Sequence, residues 1–154
     1  MTDLLATVFL VDDDVSVRRA VARLLRSLGY RVKTFAAALD FLDGETNAAG
    51  AACIVLDLQM PGLSGLDLQE ELQTRGIGHP IVFVTGHADI PSSVRAMKAG
   101  AVDFLPKPVQ EEDLLRAVEQ ALARDATERA GRVDLAALRA PLWYGTAGRT
   151  RRTA

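Results

Sequence analysis

The sequence is poor in almost everything that would tie it to an oxidising compartment, a membrane or a polyanionic partner. It has a single cysteine, Cys53, so no internal disulfide can form and a reducing compartment is the simpler expectation. Charges interrupt its apolar stretches well short of the roughly 20 residues that a membrane-crossing helix needs. Its opening, Met1-Thr2-Asp3, lacks the basic and then apolar pattern of a secretory leader. Together these features give a cytoplasmic expectation with no membrane partner. Neither sign of charge dominates. Eighteen Lys and Arg stand against 20 Asp and Glu, a formal net charge of −2, which excludes a chain-wide polyanion binder while permitting a local basic patch. No long repeat is evident. What is present is ordinary globular material: 154 residues, 49% hydrophobic and 25% charged, enough for one domain and a tail.

Short apolar runs alternate with amphipathic stretches. Residues 6–11 form a run of strand length, and residues 15–28 then switch to helical spacing, with Val17, Ala20, Val21, Leu24, Leu25 and Leu28 on one face. Gly29 follows as a left-handed cap would. Residues 31–35 read as a second strand and 36–42 as a short helix closed by Asp43-Gly44. Residues 52–57 are a continuous apolar run ending on an acid, the pattern of a strand buried on both faces. Residues 66–74 read as a helix, 81–85 as a fourth buried strand and 91–99 as a helix with Asp89 near its start and Gly100 past its end. A fifth strand spans 102–105, and Leu114, Leu115, Val118, Ala121 and Leu122 stripe a last helix. Five strand–helix units in alternation predict an α/β fold with a mostly parallel, doubly wound sheet. Ligands then collect beyond the carboxyl ends of the strands.

Those ends carry the chemistry. The first strand runs into Asp12-Asp13-Asp14, the third ends on Asp57, the fourth on Thr85, and the fifth runs into Leu105-Pro106-Lys107-Pro108. Carboxylates crowded on one rim repel unless a cation neutralises them. Oxygen ligands in this number suit a hard ion, and Mg²⁺ fits best because it accepts a few carboxylates and keeps several waters. A nucleotide site would need a Gly- or Ser-rich loop after the first strand, and acids stand there instead. Acids, metal and a lysine favour in-line attack of a carboxylate on a phosphoryl group.

The segments Val11-Asp12-Asp13, Leu56-Asp57-Leu58-Gln59-Met60-Pro61-Gly62-Leu63-Ser64-Gly65, Val84-Thr85-Gly86-His87 and Asp103-Phe104-Leu105-Pro106-Lys107-Pro108 resemble the receiver domains of two-component response regulators. The stretch from Ala96-Met97-Lys98-Ala99-Gly100 into Ala101-Val102-Asp103-Phe104 is similar to their FixJ-like branch. The likeness covers roughly residues 6–124. It implies a flavodoxin-like (βα)5 fold with a five-stranded parallel sheet in the order 2-1-3-4-5. It implies Asp57 as phosphoacceptor, fed by a sensor histidine kinase. Mg²⁺, or Mn²⁺ in its place, would be held by Asp13 and Asp57, by Asp12 partly through water, and by the backbone carbonyl of Gln59. Lys107, aided by a cis bond to Pro108, would contact a phosphoryl oxygen. Thr85 and Phe104 would switch, repacking the face of the fourth helix, fifth strand and fifth helix for homodimerisation or partner binding. Gln59 and His87, two places beyond active-site residues, would tune the lifetime of the phosphoryl group.

Plainer roles stand beside these. Asp14 reads first as an acid at a helix N-terminus. Thr85 alone could cap a turn, Phe104 could be core, and His87 could be a solvated loop residue; His87 and His79 make no metal-ligand spacing. Cys53 reads as packing and Met60-Pro61-Gly62 as a turn. Two other functions compete. One is a receiver-like binding module that is never phosphorylated. The other is a phosphatase of the haloacid dehalogenase type, which needs an Asp two places after its nucleophile, where this chain has Gln59. The expected division is a receiver over residues 1–125, then a helix extension and a disordered basic tail over 126–154. The last helix is expected to run on through Arg129, with a further apolar pattern over 133–138. The arginines of the tail are too few for direct DNA binding beyond weak, salt-sensitive contact. If a DNA-binding domain is missing from this chain, the expected output is transcriptional regulation.

Overall fold

The computed structural model describes residues 6–44, 46–87 and 89–138, and for residues 131–138 only the course of the helix. The expected tail after Leu138 lies outside the described residues. Ten elements alternate along the chain: β1 (Thr7–Val11), α1 (Val15–Ser27), β2 (Arg31–Phe35), α2 (Ala38–Asp43), β3 (Ala52–Asp57), α3 (Gly65–Thr74), β4 (Ile81–Thr85), α4 (Ile90–Lys98), β5 (Asp103–Pro106) and α5 (Glu111–Leu138). The strands form one parallel sheet in the order β2-β1-β3-β4-β5. The order reverses between β1 and β3, which puts the crevice of a doubly wound sheet beside their carboxyl ends.

Two apolar layers sandwich the sheet, and the period-2 alternation of the strands feeds both. Val8 and Leu10 of β1, Cys53 and Val55 of β3, and Val82 and Val84 of β4 pack against Ala22 and Leu25 of α1 and Leu114, Ala117, Val118 and Ala121 of α5. Phe9, Val11, Ile54, Leu56 and Phe83 face the opposite way, onto Phe41 of α2, Leu68 and Leu72 of α3 and Ala96 of α4. Strands covered on both sides read as unbroken apolar runs, and β1, β3 and β4 are buried at every position.

Helix ends follow their caps. Asp14 accepts the N–H groups of Ser16 and Val17, at 2.8 and 3.2 Å, and starts α1. Ser64 and Asp67 form a capping box that starts α3 at Gly65, and Asp89 accepts the Ser92 N–H at 2.8 Å and starts α4 at Ile90. The expected face of α1 needs one correction. Ala20 is exposed and Leu28 is 44% exposed, whereas Ala22 and Leu25 are buried. The helix is rotated so that Ala22, and not Ala20, meets the sheet. At the other end, α5 continues without a break from Glu111 to Leu138 and absorbs the apolar pattern at 133–138. Among the described residues no helix is long and apolar enough to cross a membrane.

Candidate phosphoryl-transfer site

Strand pairing brings the expected residues to one rim. Asp57 lies opposite Val84 in the β3–β4 ladder, and Thr85 opposite Pro106 in the β4–β5 ladder. The Leu58 N–H donates to the Val84 carbonyl at 2.9 Å and the Lys107 N–H to the Thr85 carbonyl at 2.7 Å. Asp12 follows β1 directly, its N–H donating to the Phe35 carbonyl at 3.1 Å. The Lys107–Pro108 bond is cis.

Carboxylate oxygens of Asp12, Asp13 and Asp57 lie within 4.8 Å of one another. Asp12 is 0% and Asp57 3% exposed, while Asp13 is open to solvent. Lys107 Nζ is 3.0 Å from Asp12 Oδ2 and 3.4 Å from Asp57 Oδ2. Asp12 Oδ1 accepts the Asp14 N–H at 2.9 Å. Its Oδ2 is buried without an aligned hydrogen-bond donor, so the lysine contact is an ion pair of poor hydrogen-bond geometry. An under-satisfied buried carboxylate oxygen beside two further carboxylates is the donor set a hard divalent cation takes. The residues fit Mg²⁺ in their chemistry.

The electrostatics agree with the crowding. Burial, and next the charge of Asp12, push the Asp57 carboxyl up from its ordinary 3.8 to about 6; Lys107 and the Gln59 N–H pull it down, and the Asp13 side chain pushes it further up. That N–H reaches Asp57 Oδ1 at 3.3 Å. Burial pulls the Lys107 ammonium down, but Asp12 and then Asp57 outweigh it, and its pKa ends above the ordinary lysine value. An acid that is hard to ionise beside an ammonium that is hard to deprotonate favours added positive charge.

The remaining expected residues take varied places. Thr85 is 1% exposed, and its Oγ1 accepts the His87 N–H at 3.1 Å. Phe104 is half-buried, its ring 6.0 Å from that of Phe83 and tilted by 44°. Gln59 and His87 are exposed on loops flanking the rim. His79 lies elsewhere, its ring 5.4 Å from that of Phe9 and tilted by 30°.

Three contributors carried no role in the sequence reading. Arg18 Nη1 donates to the Asp12 carbonyl at 2.7 Å and steadies the acidic loop; nothing in its place on α1 distinguishes it from the other arginines there. Gly65 packs its Cα against the backbone of β3's end, so that a Cβ would lie 2.5 Å from the Asp57 carbonyl oxygen and 2.9 Å from Leu58 Cα. Gln69 is buried and donates to the Ala96 carbonyl at 3.1 Å, tying α3 to α4. Only Gly65 had a signal, its place at the end of the motif that begins at Leu56.

Comparison with known proteins agrees with this fold. Residues 8–119 match the family model described as the response regulator receiver domain. Nodulation protein W of Bradyrhizobium diazoefficiens is 51% identical over 124 residues, 80% of this chain and 54% of that protein. The transcriptional regulatory protein FixJ of Azorhizobium caulinodans is 43% identical over 121 residues, 79% of this chain and 57% of that one. The structure of the response regulator StyR superposes with a TM-score of 0.81 at 51% identity, covering 86% of this chain and 67% of that one. The chain thus spans about half the length of the curated relatives it matches.

Proposed function

The chain belongs to the response regulator receiver domain family, a signalling family, and on that premise we propose that it takes a phosphoryl group from a sensor histidine kinase onto Asp57. The observation that carries this reading is the convergence of Asp12, Asp13 and Asp57 within 4.8 Å, with Lys107 between two of them. In the step proposed, an Asp57 carboxylate oxygen forms a bond to phosphorus as the bond to the donor's leaving group breaks. Lys107 neutralises a phosphoryl oxygen, and the Thr85 hydroxyl donates to another once it turns toward the site. Asp13 and Asp57, Asp12 partly through water, and the Gln59 carbonyl would hold Mg²⁺ or Mn²⁺, which when bound would supply positive charge to the transferred group and to the cluster. Gln59 and His87, exposed at the mouth, set the lifetime of the acyl phosphate.

Readout is proposed to run through Thr85 and Phe104 to the α4-β5-α5 face. Support comes from the outer surface of α4, where Ile90 is 78%, Val94 44% and Met97 44% exposed, at i, i+4 and i+7. Such a stripe on a soluble domain suits a phosphorylation-dependent homodimer. The receiver is proposed to span residues 1–125 and the helix extension and tail 126–154; support comes from Asp125, the last buried residue among those whose burial is described. If a DNA-binding domain is missing from this chain, output is transcriptional, as in the relative named a transcriptional regulatory protein; direct DNA contact by this chain is not proposed. The setting is cytoplasmic.

Incubation with acetyl phosphate and Mg²⁺ tests the reading by intact mass. The protein should gain one phosphoryl group, fail to gain it when the cation is chelated beforehand, and never gain it as Asp57→Ala. A gain that survives in Asp57→Ala contradicts the assignment. No gain under any condition favours the non-phosphorylated binding module.

A further inference from the structure

Asp125 lies about four turns into α5, is 1% exposed and takes no part in the phosphoryl site. Its Oδ2 accepts the N–H of Ala52 at 2.8 Å. Ala52 is the first residue of β3, the strand whose last residue is Asp57. Neighbours on α5 reach the same rim. Arg124 Nη2 donates to the Gly100 carbonyl at 2.8 Å, in the turn between α4 and β5. Arg129 Nη2 donates to the Ala49 carbonyl at 3.4 Å, just before β3. Beyond Arg129 the helix continues to Leu138, about 14 Å further at 1.5 Å per residue.

Apolar packing alone leaves a helix some freedom to roll and slide, because the hydrophobic effect has no direction. Hydrogen bonds to fixed backbone groups do have direction, and one made by an ionised side chain is among the stronger kind. The three ties fall within two turns, at the rim opposite the acid cluster, where the helix leaves the sheet. We propose that Asp125, flanked by Arg124 and Arg129, is a positioning residue that fixes the roll and tilt of α5 on β3. It thereby sets the direction in which the helix beyond residue 130 is aimed. This joint stands independently of the phosphoryl-transfer reading. It references the outgoing helix to the strand that carries Asp57.

Pulsed electron paramagnetic resonance on the full chain tests the proposal, with nitroxides on Ser27→Cys and Ala130→Cys, both at exposed positions. The buried Cys53 thiol, pushed up by burial and then by the charge of Asp125, stays unlabelled. Asp125→Ala should broaden the distance distribution. It should also speed amide exchange at Ala52 and along α5 past residue 124 by about ten-fold or more, as loss of a charged hydrogen bond implies, while β1 and β4 keep their protection. Asp125→Asn, which retains an accepting oxygen, should restore the narrow distribution. An unchanged distribution in Asp125→Ala, an even rise in exchange across the domain, or failure of Asp125→Asn to rescue overturns the proposal. Should Asp125→Ala not fold, the double variant Arg124→Ala, Arg129→Ala, at an exposed and a half-buried position, decides: broadening supports the joint, and none refutes it.

Discussion

Replacing Asp57 by asparagine should stabilise the domain when no divalent cation is present. The folded protein holds the Asp57 carboxyl at about 6 against an ordinary 3.8, chiefly through burial and the charge of Asp12. A gap of about two units corresponds to about 3 kcal/mol against the ionised form at neutral pH. Asparagine keeps the shape and an oxygen for the Gln59 N–H but cannot ionise, so a gain of about 1–3 kcal/mol is expected. The sign with pH is fixed by the upward shift. The protonated carboxyl's contribution to stability is fully present below about 3.8 and is lost as pH rises through about 6. The advantage of the variant should therefore be small in acid, grow across that window and stay level above it. Urea unfolding followed by circular dichroism at a series of pH values measures this. Saturating Mg²⁺ should stabilise the parent chain more than the variant and narrow the gap. A variant less stable than the parent at neutral pH, or an advantage that does not change with pH, would refute the reasoning.

Further outcomes follow from the same contacts. Lys107→Ala leaves two buried carboxylates without their cation, so phosphorylation by acetyl phosphate, read by intact mass, should slow sharply while the fold, read by circular dichroism, persists. Gly65→Ala drives a methyl to within 2.5 Å of the Asp57 carbonyl oxygen; a loss of about 1–3 kcal/mol in urea is expected from such overpacking, together with slower phosphorylation. Val94→Asp with Met97→Asp puts charge on the exposed stripe of α4, and sedimentation should find the phosphorylated variant monomeric where the phosphorylated parent dimerises.

Much of the fold was legible because parallel strands covered on both faces leave an unbroken apolar trace. β3 and β4 fall at the expected residues for that reason; β2 falls at its expected residues too, although Arg31, Lys33 and Thr34 are exposed. Helix starts moved by a residue or two where caps decide, as when Asp89 starts α4 at Ile90. The α1 face was misjudged because Ala20 and Ala22 are equivalent in hydropathy, and only packing against the sheet chooses between them. Site residues at strand ends were legible as a set, since acids terminating apolar runs are costly without a purpose. Arg18 and Asp125 were not. A charge on an amphipathic helix reads as solvated, and the partner of Asp125 is a backbone N–H 73 residues away. No periodicity displays such a pairing.

The most direct measurement traps the acyl phosphate chemically. After treatment with acetyl phosphate and Mg²⁺, borohydride reduction converts a phosphorylated aspartate to homoserine, and peptide sequencing locates it. Homoserine at position 57, dependent on divalent cation, is the predicted result. Modification at position 12 or 13, or none at 57 in a folded protein that has gained a phosphoryl group, would contradict the account.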